Sequence, residues 1–245
     1  MSSNMRRIAA LNLVRSSVVI AAAVAITAAA APLPRGAVIL DRAAVAPHRE
    51  MVLWMLRPER HPFVGYPNEP YTCPDQVTGS YYRGRARLSL IDTQRNATLQ
   101  TLPVSGWFGA ALELPYAIRS GHGYETTGEP DERGERKAHL LALRDLNGDG
   151  GAHEFALFAR ANCSEMRTTV LGYDSARDRV VQYRFVADDG ASHWIDSLLA
   201  QPATEPGHWH YRTDTRGRGG AAIEYDVRFD SARGDYVVTR RAAAR

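Results

Sequence analysis

Residues 173–183, YDSARDRVVQY, decide the fold class. An apolar run ends at Tyr173, a polar turn follows, and a second apolar run starts at Val180. This is the pattern of a β-hairpin tip. Asp174 can cap the turn through its side-chain oxygens, and Asp178 stands where a positive φ is often needed. The same order recurs at 229–239, FDSARGDYVVT, and more loosely at 91–101, IDTQRNATLQT. There Asp230 and Asp92 are the capping acids, and Gly234 and Asn96 hold the positive-φ positions. The copies are irregularly spaced, so a solenoid is not expected. Turn chemistry explains them more simply than three equivalent binding tips.

Outward from these tips the chain alternates short apolar runs with turn residues. Strands are expected at 51–56, 87–92, 98–104, 109–118, 139–145, 154–159, 168–174, 179–186, 208–213, 223–230 and 235–240. Several alternate apolar and polar residues, as half-buried antiparallel strands do. One short helix is expected near 192–201, with Ser192 as N-cap, Trp194, Leu198 and Leu199 on one face, and Pro202 as the stop. The expectation is an all-β chain of mainly antiparallel sheets, either a sandwich or a short propeller-like sheet, with that single helix. Residues 57–84 and 119–137 are poor in apolar side chains, and the second segment reads as an exposed loop.

The N-terminus reads as a targeting segment. Arg6, Arg7 and Arg15 precede the uncharged run 16–31, SSVVIAAAVAITAAAA, and Ala28 and Ala30 offer a small-x-small cleavage site. Residues 1–30 are taken as a signal peptide and 31–245 as a single β-rich domain, periplasmic or secreted. An uncleaved membrane anchor is the alternative, although alanine dominates the run and two prolines end it. Stable membrane insertion is not expected after cleavage. The whole chain has net charge +3, and residues 1–30 hold three arginines and no acid, so the remainder is neutral. A neutral mature chain gives no reason to expect nucleic acid as a partner. The two cysteines, Cys73 and Cys163, are expected to pair in an oxidising compartment; a reactive or metal-binding thiol is the alternative.

The chemistry concentrates in residues 145–155, DLNGDGGAHEF. Asp145, Asn147 and Asp149 put oxygen-bearing side chains at every second position, and Gly150 permits the turn. Calcium takes six to eight hard oxygen ligands, so these side chains, the Gly151 carbonyl and Glu154 form a candidate metal set. A polar hairpin turn is the alternative, since Asn-Gly and Asp-Gly are hairpin signals without any ion. The pattern is not an EF-hand, because position 12 is Ala156. The loop resembles the DxNxDG calcium loops of FG-GAP and integrin-type propeller repeats, which join two strands. Those repeats usually carry an acid at position 9; here position 9 is His153 and the acid is Glu154. The mature chain also resembles a family of exported bacterial proteins through YTCPDQVTGSYYRG, DLNGDGGAHEFALF, PGHWHYRTDTRGRGG and YDVRFDSARGDY. That resemblance implies export and carries no assigned activity.

Other constellations are weaker. His208 and His210 are two apart, so on a strand they face one way and suit zinc or copper if a third ligand such as His193 joins them. Two exposed histidines beside a turn is the plainer reading. Trp54, Trp107, Trp194 and Trp209, with Tyr81 and Tyr82, offer either a ligand platform or core; Trp54 and Trp107 read as core. The pairs Asp188–Asp189 and Glu132–Glu135 sit in loop-like contexts. No GxSxG elbow, phosphate loop or zinc-protease helix is present. The expected function is a non-enzymatic binding or structural module, stabilised by calcium, for a protein or glycan ligand. A hydrolase of envelope or extracellular polymers is the alternative.

Overall fold

A computed structural model describes residues 32–61, 81–107, 111–114, 139–162, 165–196, 203–213 and 222–242. These residues form an all-β fold of mainly antiparallel sheets, with no helix and no closed barrel among them. Residues 1–30, the loop 119–137, Glu132, Glu135, Cys73 and Cys163 lie outside the described residues.

The first sheet has the order β1 (Ala37–Ala46), β2 (Arg49–Leu56), β5 (Ala86–Asp92), β6 (Ala97–Pro103). A small sheet joins β3 (Glu59–His61), β4 (Tyr81–Gly84) and β7 (Leu112–Leu114). In the middle sheet, β8 (Glu154–Asn162) pairs along β9 (Glu165–Asp174). Both β10 (Arg179–Gln182) and β13 (Ile195–Asp196) also pair with β9, at Leu171–Asp174 and Arg167–Thr168. The C-terminal sheet runs β12 (Gly190–Ser192), β11 (Phe185–Ala187), β16 (Asp235–Ala242), β15 (Ile223–Asp230), β14 (His208–Thr213). Within it only β11 and β16 are parallel.

The middle sheet has a core on each face. On β8 and β9, Phe155, Leu157, Leu171 and Tyr173 join Met51, Leu53, Leu88 and Leu90 of the first sheet. Their neighbours Ala156 and Val170 join Trp209, Tyr211, Tyr225, Val227 and Tyr236 of the C-terminal sheet. This follows from the period of two, which sends successive side chains to opposite faces. Each fully buried apolar side chain contributes roughly 1.5–3 kcal/mol.

The three hairpin tips share one geometry. Asn96, Asp178 and Gly234 have φ of 51°, 47° and 70°. The side chains of Asp92, Asp174 and Asp230 accept N–H groups of Arg95 (2.9 Å), Arg177 (3.1 Å) and Arg233 (3.2 Å). The same arginines return their guanidinium groups to the capping acids.

Three local expectations need correction. Residues 192–196 are not helical: Ile195 and Asp196 pair with Thr168 and Arg167 as β13, and 197–202 lie outside the described residues. The apolar pattern matched a helix, but pairing with the unfilled edge of β9 took precedence. Residues 139–145 form no strand; only Arg144 makes a bridge, to Glu154. The run 179–186 is split between two sheets, because the chain crosses at Tyr183–Arg184, where Tyr183 N–H donates to Val170 and Arg184 C=O accepts from Tyr236. That crossing carries Tyr183 into the second core, beneath the acidic loop.

Candidate cation loop

The loop 145–151 leads into β8 and is wrapped on its own side chains. Asp145 accepts the N–H groups of Gly148 (2.7 Å) and Gly150 (3.1 Å). Asn147 Oδ1 accepts the Asp149 N–H (2.9 Å), and Asp149 Oδ1 accepts the Gly151 N–H (2.8 Å). The Gly151 carbonyl accepts the His153 N–H at 3.0 Å. Asp149, Gly148 and Gly150 are exposed, whereas Leu146 is buried in the second core.

Glu154 reaches this loop from the first position of β8. Its side chain is fully buried. Oε2 accepts the Leu146 N–H (3.1 Å), and Oε1 accepts from Asn147 Nδ2 (3.1 Å) and the Tyr183 hydroxyl (3.4 Å). Strand alternation explains why position 10, not position 9, supplies the acid. His153 turns to the other face, with its ring edge-on to Tyr173 at 5.8 Å, so Glu154 faces the loop. Space for its side chain comes from Gly172, its cross-strand neighbour. A Cβ on Gly172 would lie 2.9 Å from Glu154 Cγ.

The loop is also gripped from outside. Gly148 (φ 76°) and Gly207 (φ 74°) pack against each other's segments. A Cβ on Gly148 would meet the Pro206 carbonyl oxygen at 2.8 Å, and one on Gly207 would meet the Asn147 carbonyl oxygen at 2.7 Å. Only residues without Cβ fit such an approach in this backbone region. The turn 205–207 before β14 is therefore a wall of the loop.

Burial pushes the Glu154 carboxyl up to about 8; the Leu146 N–H pulls against this, while Asp149 and Asp145 add to it. Burial likewise raises Tyr183 above the ordinary tyrosine value, with Glu154 contributing. The hydrogen-bond partners of Asp145, Asp149 and Glu154 are amides and one hydroxyl, and among the described residues none is a cation. Asn147 Nδ2 stands between two of the acids, 3.0 Å from Asp149 Oδ2 and 3.1 Å from Glu154 Oε1. Among the described residues, no three His, Cys, Asp or Glu side chains by themselves form a group that could hold a metal ion. The loop's oxygens are a mixed set: carboxylates, one amide and one carbonyl. Such a set suits a hard cation and does not suit zinc.

The histidine pair has a different setting. His208 is buried and His210 exposed, with Trp209 between them in the second core. His208 Nδ1 lies 3.1 Å from Glu205 and Nε2 3.2 Å from Asp226; Arg228 Nε is 3.2 Å from that same Nε2. His210 faces the same Asp226 oxygen at 3.8 Å. Burial works to raise the Asp226 carboxyl, but His208 and Arg228 outweigh it and hold it below the usual value. Arg228 already supplies a cation here. His193 does not join the pair: its Nδ1 is 3.1 Å from the Tyr183 carbonyl oxygen.

The tryptophans do not form one platform. Trp54 lies in a small cluster with Val52 and Ile91 on the other face of the first sheet. Trp107 and Trp194 pack on the first core, and Trp209 lies in the second. Tyr82 packs on the first core. Asp189 pairs with Arg240 at 2.7 Å.

Compared with protein-family models, curated proteins and solved structures, the chain matches none. No helix among the described residues is long and apolar enough to cross a membrane. Sequence reasoning missed Gly172, Gly207, Tyr183 and Tyr236 as parts of the loop's setting. Only Gly172 carried a local signal, since a glycine inside a strand marks close approach.

Proposed function

We propose that the chain is an exported, non-enzymatic binding or structural module stabilised by one calcium ion, acting in the periplasm or outside the cell on a protein or glycan ligand. The ion is held by the side chains of Asp145, Asn147, Asp149 and Glu154 and by the Gly151 carbonyl. The observation that carries this reading is Glu154, a fully buried acid turned onto a loop with two further acids and bonded only to amides and a hydroxyl. Bound calcium supplies the positive charge that favours all three carboxylates in their ionised form. A structural role fits the depth of Glu154, which ties the ion set to the second core.

Equilibrium dialysis of the chain against calcium tests the reading. The expected result is one calcium per chain with Kd of about 10⁻⁴ to 10⁻³ M, the range of extracellular sites with few ligands. Binding is expected to be lost in Asp149→Ala. No retained calcium at millimolar concentration overturns the reading.

A further inference from the structure

Residue 146 has both backbone polar groups held by buried side chains. Its N–H donates to Glu154 Oε2 at 3.1 Å. Its carbonyl accepts the Tyr236 hydroxyl at 2.8 Å, a contact spanning 90 residues. Its own side chain is anchored in the second core. With Leu146 held this way, Asp145 and Asn147 on either side point their oxygens into the loop.

Tyr236 is built for this contact and for little else polar. It is fully buried on β16. Its ring is stacked on Phe185 at 5.0 Å and lies near Phe229 at 5.2 Å, Tyr183 at 5.8 Å and Trp209 at 6.1 Å. A phenol in so apolar a setting needs a hydrogen-bond partner, and phenylalanine would fill the same space without that need. The hydroxyl meets the one loop residue that faces inward. Its strand also pairs in parallel with β11, just after the Tyr183 crossing, so the two tyrosines approach the loop base together.

We infer that Tyr236 is a positioning residue for the cation loop: its hydroxyl holds the Leu146 carbonyl, and through it sets Asp145, Asn147 and Glu154 for calcium. This inference rests on the calcium reading above for its ligand, but not for the contact itself. It ties the loop to the C-terminal sheet.

The test compares Tyr236→Phe with Val238→Ala. The second variant removes volume from the same core and strand without removing a hydrogen bond to the loop. Calcium dissociation constants are measured by equilibrium dialysis, and amide exchange of residues 145–151 is followed in chelator. Tyr236→Phe is expected to weaken calcium binding about 5–10-fold, from loss of one hydrogen bond to a buried carbonyl, and to speed loop exchange by a similar factor. Val238→Ala is expected to leave both near the wild-type values, even if it lowers the unfolding midpoint more. Equal loop exchange in Tyr236→Phe and the wild type overturns the inference, whether or not calcium binds. Equal effects of the two variants on Kd and exchange also overturn it, because they reduce Tyr236 to general core packing. If the wild type binds no calcium but Tyr236→Phe still speeds loop exchange, the calcium reading fails and the positioning role stands.

Discussion

Glu154 shows how much one side chain's surroundings decide. In the sequence it stands one place late for a DxNxDG loop. In the fold it is the most deeply buried of the loop's acidic neighbours, because β8 begins there and alternation turns its carboxyl toward Leu146 and Asn147. Gly172 makes that orientation possible. Gly172→Ala would place a Cβ 2.9 Å from Glu154 Cγ and 3.0 Å from the His153 carbonyl oxygen. Overpacking of this kind costs roughly 1–3 kcal/mol. Denaturant unfolding in chelator is expected to show that loss, and calcium affinity is expected to fall with it. Unchanged stability and affinity would mean that the cradle is not needed. That Asp145, Asn147 and Asp149 wrap one turn was legible from their spacing. The hydroxyls of Tyr183 and Tyr236 were not, because their contacts depend on which strands end up facing one another.

Among the elements, the hairpin tips were the most legible part of the chain. Their chemistry is local: an aspartate accepts the N–H groups that follow it, and a positive-φ residue closes the turn. Asp230→Ala removes the acceptor for Ala232 and Arg233 at an exposed tip, and is expected to cost about 1 kcal/mol in denaturant unfolding. Asp92→Ala should cost more, since Asp92 is buried and also pairs with Arg49 at 3.3 Å. If the two variants lost equal stability, the cross-strand pairing of Asp92 with Arg49 would be contributing nothing. What local reading could not supply was the fate of runs whose partners lie far away. The run 179–186 looks like one strand but serves two sheets. Residues 192–196 carry a helical pattern, yet Ser192 ends β12 and Ile195 and Asp196 pair with β9. The strand β1 gives little signal in the sequence because it is alanine-rich and alternates weakly, although it pairs with β2 along most of its length.

Across the whole molecule, the first and middle sheets meet through side chains at facing edges. Gln100 bonds both backbone groups of Val180 (2.8 and 3.1 Å), and Gln182 bonds both of Ser105 (2.8 and 3.3 Å). Beside this seam Arg49 of the first sheet grips Asp178 of the β9–β10 tip at 2.9 Å. The Arg49 hydrogen bond, with that of the Tyr173 hydroxyl, holds the Asp178 carboxyl below its ordinary value. A carboxyl depressed in the folded state contributes stability that is present above the ordinary value of 3.8 and is lost as pH falls through the lower folded-state value. Acid unfolding below about pH 4 is therefore expected to be less steep in Arg49→Met, which has no such pairing to lose, than in the wild type. An identical acid limb in the two proteins would count against this pairing as a source of acid sensitivity. None of the inter-sheet seam was visible in the sequence, where Gln100 and Gln182 looked like ordinary polar positions on strands.

The most direct measurement is thermal unfolding of the chain in chelator and then in millimolar calcium, for the wild type and Asp149→Ala. A ligand that binds only the folded state stabilises it by about 1.4 kcal/mol at tenfold excess over Kd. For a chain of roughly this size, that is a rise of about 3–6 °C in Tm. The expected result is such a rise in the wild type and none in Asp149→Ala. A wild-type midpoint that does not move across millimolar calcium would contradict the calcium reading and leave 145–155 as a polar turn closed by its own hydrogen bonds.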